Sequence, residues 1–352
     1  MTPITIVGAG AIGGTLGAYL AREGAPVRLV DADPDHVAAM RARGLTIRGF
    51  AETFTVPVDA LSPEELDGPL DIVLLAVKAQ HTVAAVERLL PLLAPASAIV
   101  SCQNGLCERT IARMVGLERT VGCFVNFSAD YLEPGVVAYG GPGSLYLGEL
   151  DSRVSDRVRA LRDTLSCWGD ARETENIWGY LWGKMGYANM LFATALADAT
   201  MAEVIDRYRP LMAELAAEAY EVAGREGAVP EPFDNVEPSL YYPRSGRDPA
   251  AIERSLDELV ARRRRDHKAK SGIWRDLAVR RRKTEVDQQI GLVAEVGAGH
   301  GLPLPLTHRL VGMIHDLEEG RRAMAWANVD ELDALRRELY GDTLLPTGAD
   351  VT

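Results

Sequence analysis

Polar side chains interrupt apolar patterns at a few places in the second half of the chain. Lys184 and Asn189 lie in a segment dense in apolar and small residues, and Glu285 lies between Val279 and Ile290 in a segment predicted as helix. A lysine in such surroundings either extends its ammonium group to solvent or is enclosed for a purpose. Enclosure would lower its pKa, so that it could act as a general acid near neutral pH. Glu285 is likewise either a solvated helix carboxylate or a buried functional group.

A further polar stretch runs from Ser271 to Asp276 and precedes Glu285 in the chain. Lys268 and Lys270 stand just before it. They either add positive charge for an anionic substrate or are solvated, as most lysines are.

A glycine-rich turn near the N-terminus is a second candidate site, one that could bind phosphate groups. The run Ile4–Val7 is typical of a strand, an apolar-periodic segment follows the turn, and a second strand-like run ends in Asp31. The turn consists of Gly8, Ala9, Gly10, Ala11, Ile12 and Gly13. Strand, G-x-G-x-x-G turn, helix and strand, with an acid about twenty positions on, are the pattern of a dinucleotide site.

Each glycine of this turn has a predicted role. Gly8 allows the tight turn, Gly10 admits a pyrophosphate close to the backbone, and Gly13 lets the helix pack against the sheet. The N–H groups at the start of the helix then face the phosphates. The alternative is a glycine-rich turn that binds no ligand.

Two polar residues follow later strands of the same pattern. Lys78 follows the nearly continuous apolar run from Asp71 to Val77, and Asn104 follows Ala98–Ser101. Strands alternating with helices predict an α/β, doubly wound parallel sheet, in which ligands bind beyond the carboxyl ends of the strands. The later runs 136–139 and 144–148 are predicted as an antiparallel pair.

The pattern changes to long helices near Ile177, and 352 residues favour two domains. We predict a dinucleotide-binding domain over 1–176, an all-helical domain over 177–340 and a tail over 341–352. Residues 230–270 form a predicted long insertion, mostly loop, with a charged helix from Ala250 to Arg265. A single helix is predicted from Trp274 to Ala298.

Composition excludes several classes of protein. A net charge of −12 argues against nonspecific nucleic-acid binding. No apolar run has the length of a membrane span, and nothing before Thr5 resembles a signal peptide, so we expect a cytoplasmic protein. The cysteines lack metal-site spacing, so we expect free thiols and no metal; they are Cys102, Cys107, Cys123 and Cys167.

Taken together, these motifs resemble those of the ketopantoate reductase (2-dehydropantoate 2-reductase) family over nearly the whole chain. The segments that carry the resemblance are 8–13, 76–79, 103–105, 181–184, 271–276 and 284–287. The resemblance implies a Rossmann domain for NAD(P)H and an all-α domain of the 6-phosphogluconate-dehydrogenase-like type. It also implies a 2-oxo acid substrate in the cleft between them and a place in pantothenate biosynthesis. We expect a homodimer.

The resemblance also implies roles for individual residues. The catalytic lysine of the family falls on Lys184, which would protonate the carbonyl oxygen. The glutamate of the family falls on Glu285, which would orient that lysine or contact substrate hydroxyls. Lys78 and Asn104 fall near the cofactor. The serine that contacts the substrate carboxylate falls on Ser271 or on the next position, Gly272.

The chain departs from the family at the substrate asparagines. The family usually has two, one helical turn apart, after the lysine. Here Asn189 comes one position later than expected, and Ala193 stands where the second should be. We keep Asn189 as a predicted substrate contact, but a substrate hydrogen bond is expected to be missing, which puts ketopantoate itself in doubt.

A second departure concerns the cofactor. NADPH-preferring members tend to place a basic or hydroxyl residue after the second strand, whereas this chain has Asp31 and Asp33. A carboxylate there accepts hydrogen bonds from a free ribose diol and repels a 2′-phosphate. We therefore favour NADH over the usual NADPH, unless Arg41 or Arg43 turns towards the phosphate.

Alternatives remain open for the activity and for the insertion. The chain could reduce a different 2-oxo acid or an imine in a specialised pathway, or it could be a non-catalytic regulator that senses NAD(P)H. Charged groups such as Lys184 and Glu285 argue against a sensor. Residues 230–270 would either cover the substrate or decorate the surface.

Overall fold

The computed structural model describes residues 3–265, 268–342 and 344, and it divides into two compact units, Met1–Ile177 and Trp178–Thr352. Most of the predicted tail lies outside the described residues. Among the described residues, no helix combines the length and apolar character that crossing a bilayer requires.

The first unit is an α/β structure, as the sequence predicts. Its strands are β1 Ile4–Val7, β2 Val27–Val30, β3 Leu45–Arg48, β4 Thr53–Val56, β5 Asp59–Leu61, β6 Leu70–Leu75, β7 Leu93–Ser101, β8 Thr120–Asn126, β9 Ala129–Glu133, β10 Val136–Tyr139, β11 Ser144–Glu149 and β12 Ala171–Glu173. Its helices are α1 Ala11–Arg22, α2 Pro34–Arg43, α3 Thr82–Leu89, α4 Glu108–Val115 and α5 Asp156–Leu165.

The main sheet has eight strands in the order β12-β11-β8-β7-β6-β1-β2-β5. All its neighbouring pairs are parallel except β8 and β11. The central strands are buried on both faces, which explains why they are almost continuously apolar in sequence. The predicted doubly wound sheet is confirmed, with one antiparallel pair added.

A second sheet of four strands, in the order β4-β3-β10-β9, packs against α1. The predicted pairing of 136–139 with 144–148 is wrong, because β10 pairs with β3 and β9, whereas β11 pairs with β8 and β12. The link between the two strands, residues 140–143, is rich in glycine. A Cβ on its last residue, Gly143, would lie less than 3.0 Å from the Asn126 carbonyl oxygen, so the link crosses closely over the end of β8.

The second unit is helical, as predicted. Its helices are α6 Ile177–Thr194, α7 Met201–Arg207, α8 Arg209–Arg225, α9 Pro249–Arg265, α10 Gly272–Ala278, α11 Ile290–Gly299, α12 Pro305–Glu318 and α13 Trp326–Tyr340. The sequence analysis did not predict α13. The predicted helix at 250–265 is confirmed as α9.

The single helix predicted over 274–298 is wrong, because α10 and α11 are separated by eleven non-helical residues, 279–289. Arg281 has a left-handed backbone with φ of 48°. The Arg282 backbone N–H donates to the Asp276 carbonyl oxygen, and its guanidinium pairs with the Asp276 carboxylate. These local contacts turn the chain back on the end of α10, and Glu285 lies in the non-helical segment before α11.

The predicted insertion at 230–270 is an integral part of the helical unit. The Glu231 backbone N–H donates to the Gly179 carbonyl oxygen of α6, and Arg247 is buried against Glu214 of α8. Burial of this charge is compensated because the arginine also donates to the Tyr241 carbonyl oxygen. Apart from two short 3-10 turns, residues 230–248 are largely irregular, and the predicted helix follows as α9. The buried contacts make the segment more than surface decoration; residues 266 and 267 lie outside the described part.

The packing of α6 on α8 depends on glycine. Tyr220 of α8 is fully buried and donates a hydrogen bond to the Gly183 carbonyl oxygen, at 3.0 Å. A Cβ on Gly186 would lie less than 3.0 Å from three atoms of the Tyr220 side chain. The ring therefore occupies a groove that only glycine leaves open.

We expect Gly186→Ala to lower the free energy of unfolding by roughly 1–3 kcal/mol, because the added methyl overlaps the Tyr220 ring. Gly312→Ala in α12 is the matched control, since no heavy atom lies within 4 Å of its Cβ position. The control is expected to be neutral or slightly stabilising. Urea unfolding followed by circular dichroism compares them, and equal stability of the two variants would contradict this packing.

Candidate functional site

The glycine turn packs tightly on one side and is open on the other. Gly8 has φ of +94°, and a Cβ on it would lie 2.7 Å from the Val77 backbone nitrogen. A Cβ on Gly13 would lie less than 3.0 Å from the Gly8 carbonyl oxygen, whereas the Cβ position of Gly10 has no heavy atom within 4 Å. The turn is thus held against β6 and leaves space at Gly10, where a pyrophosphate would approach the backbone.

The start of α1 is suited to a negatively charged group. Gly10 is its N-cap and provides no side-chain acceptor, and the first turn contains no acidic residue. The N–H groups of Ala11, Ile12 and Gly13 have no acceptor one turn earlier in the helix. A phosphate would therefore meet unsatisfied donors and the positive end of the helix dipole.

Asp31 lies at the end of β2 and holds the turn. Its Oδ2 accepts a hydrogen bond from the Ala9 backbone N–H at 2.8 Å, and its Oδ1 accepts one from the Asp33 N–H at 2.9 Å. Each carboxylate oxygen has a second lone pair, so these bonds leave acceptor capacity for a ribose hydroxyl. Asp33 in turn caps α2, accepting from the N–H groups of Asp35 and His36.

Lys78 and Asn104 lie at the same edge of the sheet as the glycine turn, as predicted, because β1, β6 and β7 are parallel neighbours. Lys78 is half-buried and precedes α3, and Asn104 is exposed after β7. Sequence analysis gave no role to Gln103, which is buried and donates from Nε2 to the Val77 carbonyl oxygen and to Thr82 Oγ1, both at 2.9 Å. Gln103 thus fixes the loop that carries Lys78.

Lys184 lies on α6 in the helical unit. The lysine is half-buried, whereas its neighbours Trp182 and Met185 are almost completely buried. On either side, Gly183 and Gly186 receive Tyr220, and a Cβ on Gly183 would lie 2.7 Å from the Glu231 carbonyl oxygen. The backbone that carries Lys184 is therefore rigidly packed.

Asn189 is completely buried and holds helices together. Its Nδ2 donates to the Leu215 carbonyl oxygen at 2.8 Å and to Thr307 Oγ1 at 3.0 Å, which uses both amide N–H groups. These bonds tie α6 to α8 and α12. The geometry argues against the predicted substrate contact and gives Asn189 a structural role.

Glu285, Ser271 and Gly272 belong to the region around α10. Glu285 is only 6% exposed and precedes α11. Ser271 is the buried N-cap of α10, and its Oγ accepts from the Trp274 N–H at 3.1 Å. Gly272 begins that helix, and the nearest atom to its Cβ position is Lys268 Nζ at 3.9 Å.

Lys270 is partly exposed and contacts both an acidic and an aromatic side chain. Its ammonium pairs with Asp198 and lies 4.0 Å from the centre of the Trp274 ring.

Within the described part of the chain, no group of three His, Cys, Asp or Glu side chains is placed to hold a metal ion. The four cysteines are free thiols, and all but Cys167 are buried.

Comparison with known proteins agrees with this architecture. The family model of ketopantoate reductase PanE/ApbA matches residues 4–152, and that of its C-terminal domain matches residues 176–318. The chain is 30% identical to a 2-dehydropantoate 2-reductase of Mesorhizobium japonicum over 230 residues, 57% of this chain and 69% of that relative. The chain belongs to the ketopantoate reductase family.

Further relatives extend the match to 91% of this chain. A 2-dehydropantoate 2-reductase of Pyrococcus abyssi is 26% identical over 91% of this chain and 99% of its own. The crystal structure of a PanE/ApbA family ketopantoate reductase from Ralstonia eutropha has 26% identity and a TM-score of 0.76, covering 91% and 99% of the two chains. D-mandelate dehydrogenase with NADH shares the fold, with 21% identity, a TM-score of 0.75 and coverage of 91% and 99%.

The close approach at Gly13 gives a testable expectation for this family member. Gly13→Ala should weaken NAD(P)H binding by at least about tenfold, because the methyl displaces α1 from the turn and moves its N–H groups. Gly169→Ala in the same unit is the control, since its Cβ position is open. Isothermal titration measures both, and unchanged affinity in Gly13→Ala would show that the turn does not hold the cofactor.

Proposed function

We propose that the chain is an NAD(P)H-dependent reductase of a 2-oxo acid, resembling 2-dehydropantoate 2-reductase. The observation that carries this proposal is the glycine turn, open at Gly10 and backed by the N–H groups of α1, in a chain that both family models match. The relatives named 2-dehydropantoate 2-reductase support carbonyl reduction as the reaction.

The reaction converts a ketone to a secondary alcohol by adding a hydride to carbon and a proton to oxygen. The reduced nicotinamide, when bound, supplies the hydride. Lys184 donates the proton from its ammonium group, which leaves the neutral amine to be reprotonated from solvent. Glu285, a buried carboxylate, orients the lysine or accepts hydrogen bonds from substrate hydroxyls.

The carboxylate of the substrate is assigned to the start of α10. Because Ser271 Oγ accepts from the Trp274 N–H, its own O–H proton can be donated to a substrate oxygen. Gly272 is exposed, and its backbone N–H, at the first position of α10, has no acceptor one turn earlier in the helix. The family's serine falls either on Ser271 or on Gly272, so we assign the contact with the substrate carboxylate to these two residues together.

The hydrogen bonds of Asn189 favour a 2-oxo acid other than ketopantoate as the substrate. Both N–H groups of this amide are used inside the helical core, so it has none to donate to a substrate hydroxyl. A side-by-side assay of ketopantoate and several 2-oxo acids, followed by cofactor absorbance, identifies the substrate. Turnover of none of them, with tight cofactor binding, would favour a non-catalytic regulator.

We propose NADH as the cofactor because the residues that follow β2 are negatively charged. Three aspartates stand there, Asp31, Asp33 and Asp35, and a 2′-phosphate would meet their repulsion. The arginines considered as phosphate partners are engaged elsewhere. Arg41 donates to the Ala60 carbonyl oxygen and pairs with Glu65, and Arg43 donates to the Pro134 carbonyl oxygen.

Replacing Lys184 tests the catalytic assignment. Lys184→Ala should lower kcat by roughly 10²–10⁴-fold, because the proton donor is lost, while the dissociation constant for NADH stays unchanged. Lys184→Arg should restore little, since a guanidinium holds its proton too tightly. Arg254→Ala removes an exposed cation of α9 as the control. Wild-type kcat in Lys184→Ala would refute the role.

Cofactor choice is tested by the ratio of kcat/KM for NADH and NADPH. The wild type should prefer NADH, and Asp33→Ser should narrow the ratio by about tenfold, because serine keeps the helix cap but removes a charge. Asp156→Ser, at the exposed start of α5, should leave the ratio unchanged. A wild-type preference for NADPH would overturn the proposal.

A further inference from the structure

His36 is a completely buried histidine in the first turn of α2, and sequence analysis gave it no role. Its Nδ1 lies 2.9 Å from the Gly135 backbone nitrogen, and its Nε2 lies 2.9 Å from the Ala9 carbonyl oxygen. The imidazole thus joins the glycine turn of the main sheet to the link between β9 and β10 in the second sheet.

The two partners fix the protonation of the ring. A backbone N–H can only donate, so Nδ1 must be unprotonated to accept from Gly135. The Ala9 carbonyl oxygen can only accept, so Nε2 must carry the proton. Only the neutral Nε2–H tautomer satisfies both bonds, because an imidazolium would direct a second N–H against that of Gly135.

The hydrogen bond from His36 to the Ala9 carbonyl oxygen also orients the N–H group on the opposite side of the same peptide, where the dinucleotide would bind. The Ala9 carbonyl group and the Gly10 N–H belong to one planar trans peptide, so fixing the oxygen fixes the direction of the N–H on the opposite side. The preceding peptide is fixed in the same way, since its Ala9 N–H donates to Asp31. Space is available next to Gly10, because no heavy atom lies within 4 Å of its Cβ position.

The surroundings keep the imidazole in place. The Tyr131 ring packs edge-on against His36 at 5.0 Å, and its hydroxyl donates to Asp33 at 3.2 Å. Burial and the charge of Asp33 raise the pKa of Tyr131 to about 12, so this hydroxyl stays a donor. Gly135 has φ of +80°, and its Cβ position lies 3.1 Å from the Ala39 Cβ, which seats the link closely on α2.

We propose that His36 is a positioning residue for the dinucleotide: it orients the Ala9–Gly10 peptide so that the Gly10 N–H faces the pyrophosphate, and it draws this support from the second sheet. The proposal rests on the proposed binding of NAD(P)H at the glycine turn. His36 itself does not touch the cofactor. Its loss is therefore expected to affect cofactor affinity more than the chemical step.

Three variants separate positioning from general stability. His36→Leu removes both hydrogen bonds, and we expect the dissociation constant for NADH to rise about tenfold or more, with kcat at saturating NADH changed much less. His36→Gln should restore most of the affinity, because its amide offers one donor and one acceptor at a similar reach. Met40→Ala creates a cavity in the same helix away from the turn; it should lower the melting temperature without weakening NADH binding.

The outcomes distinguish this proposal from the function on which it rests. Wild-type protein that binds neither NADH nor NADPH by titration would refute the proposed function. Binding by wild type and equally by folded His36→Leu would refute the role of His36 alone. If that variant does not fold, a long-range ¹H–¹⁵N spectrum of the wild type decides: the neutral Nε2–H tautomer supports the proposal, and an Nδ1–H tautomer or an imidazolium overturns it.

Discussion

The close approach of α1 to the first strands of the sheet is the constraint on which the rest of the N-terminal unit depends. No side chain can be accommodated at Gly13, because a Cβ there would overlap the Gly8 carbonyl oxygen. The contact sets the start of α1 directly above the turn and leaves Gly10 open. Between Gly8 and Gly10, Asp31 binds the N–H of Ala9 and His36 binds its carbonyl oxygen, so both peptide planes are fixed. The proposed anion site is thus built almost entirely from backbone groups, with side chains acting as their supports.

Local sequence was sufficient wherever structure is decided locally. The glycine turn, the buried strands and the helical second unit follow from residue spacing, and so does the position of Lys78 and Asn104 at one sheet edge. Two features could not be read in this way. The chain turns back after α10, where Arg282 binds Asp276 six residues earlier, and a periodic pattern does not show such a turn. The partners of β10 and β11 lie in distant segments, and the glycine link between these strands packs closely over the end of β8.

Asn189 shows how one position changes the role of a side chain. A residue four positions after Lys184 would project within about 40° of it around the helix, whereas a residue five positions after projects about 140° away. The asparagine therefore turns from the lysine face into the core, where it bonds to Leu215 and Thr307. The chain therefore keeps an asparagine after the lysine, but its side chain projects from a different side of the helix. This is the physical reason to look beyond ketopantoate for the substrate.

The central claim is that a hydride passes from reduced nicotinamide to the ketone carbon of a 2-oxo acid. Its most direct test is a single turnover with NADH that carries deuterium at both C4 positions, using the substrate found in the assay, and mass spectrometry of the product. The expected product is a 2-hydroxy acid that carries deuterium at C2. Deuterium absent from that carbon, or bound NADH that no 2-oxo acid oxidises, would contradict it.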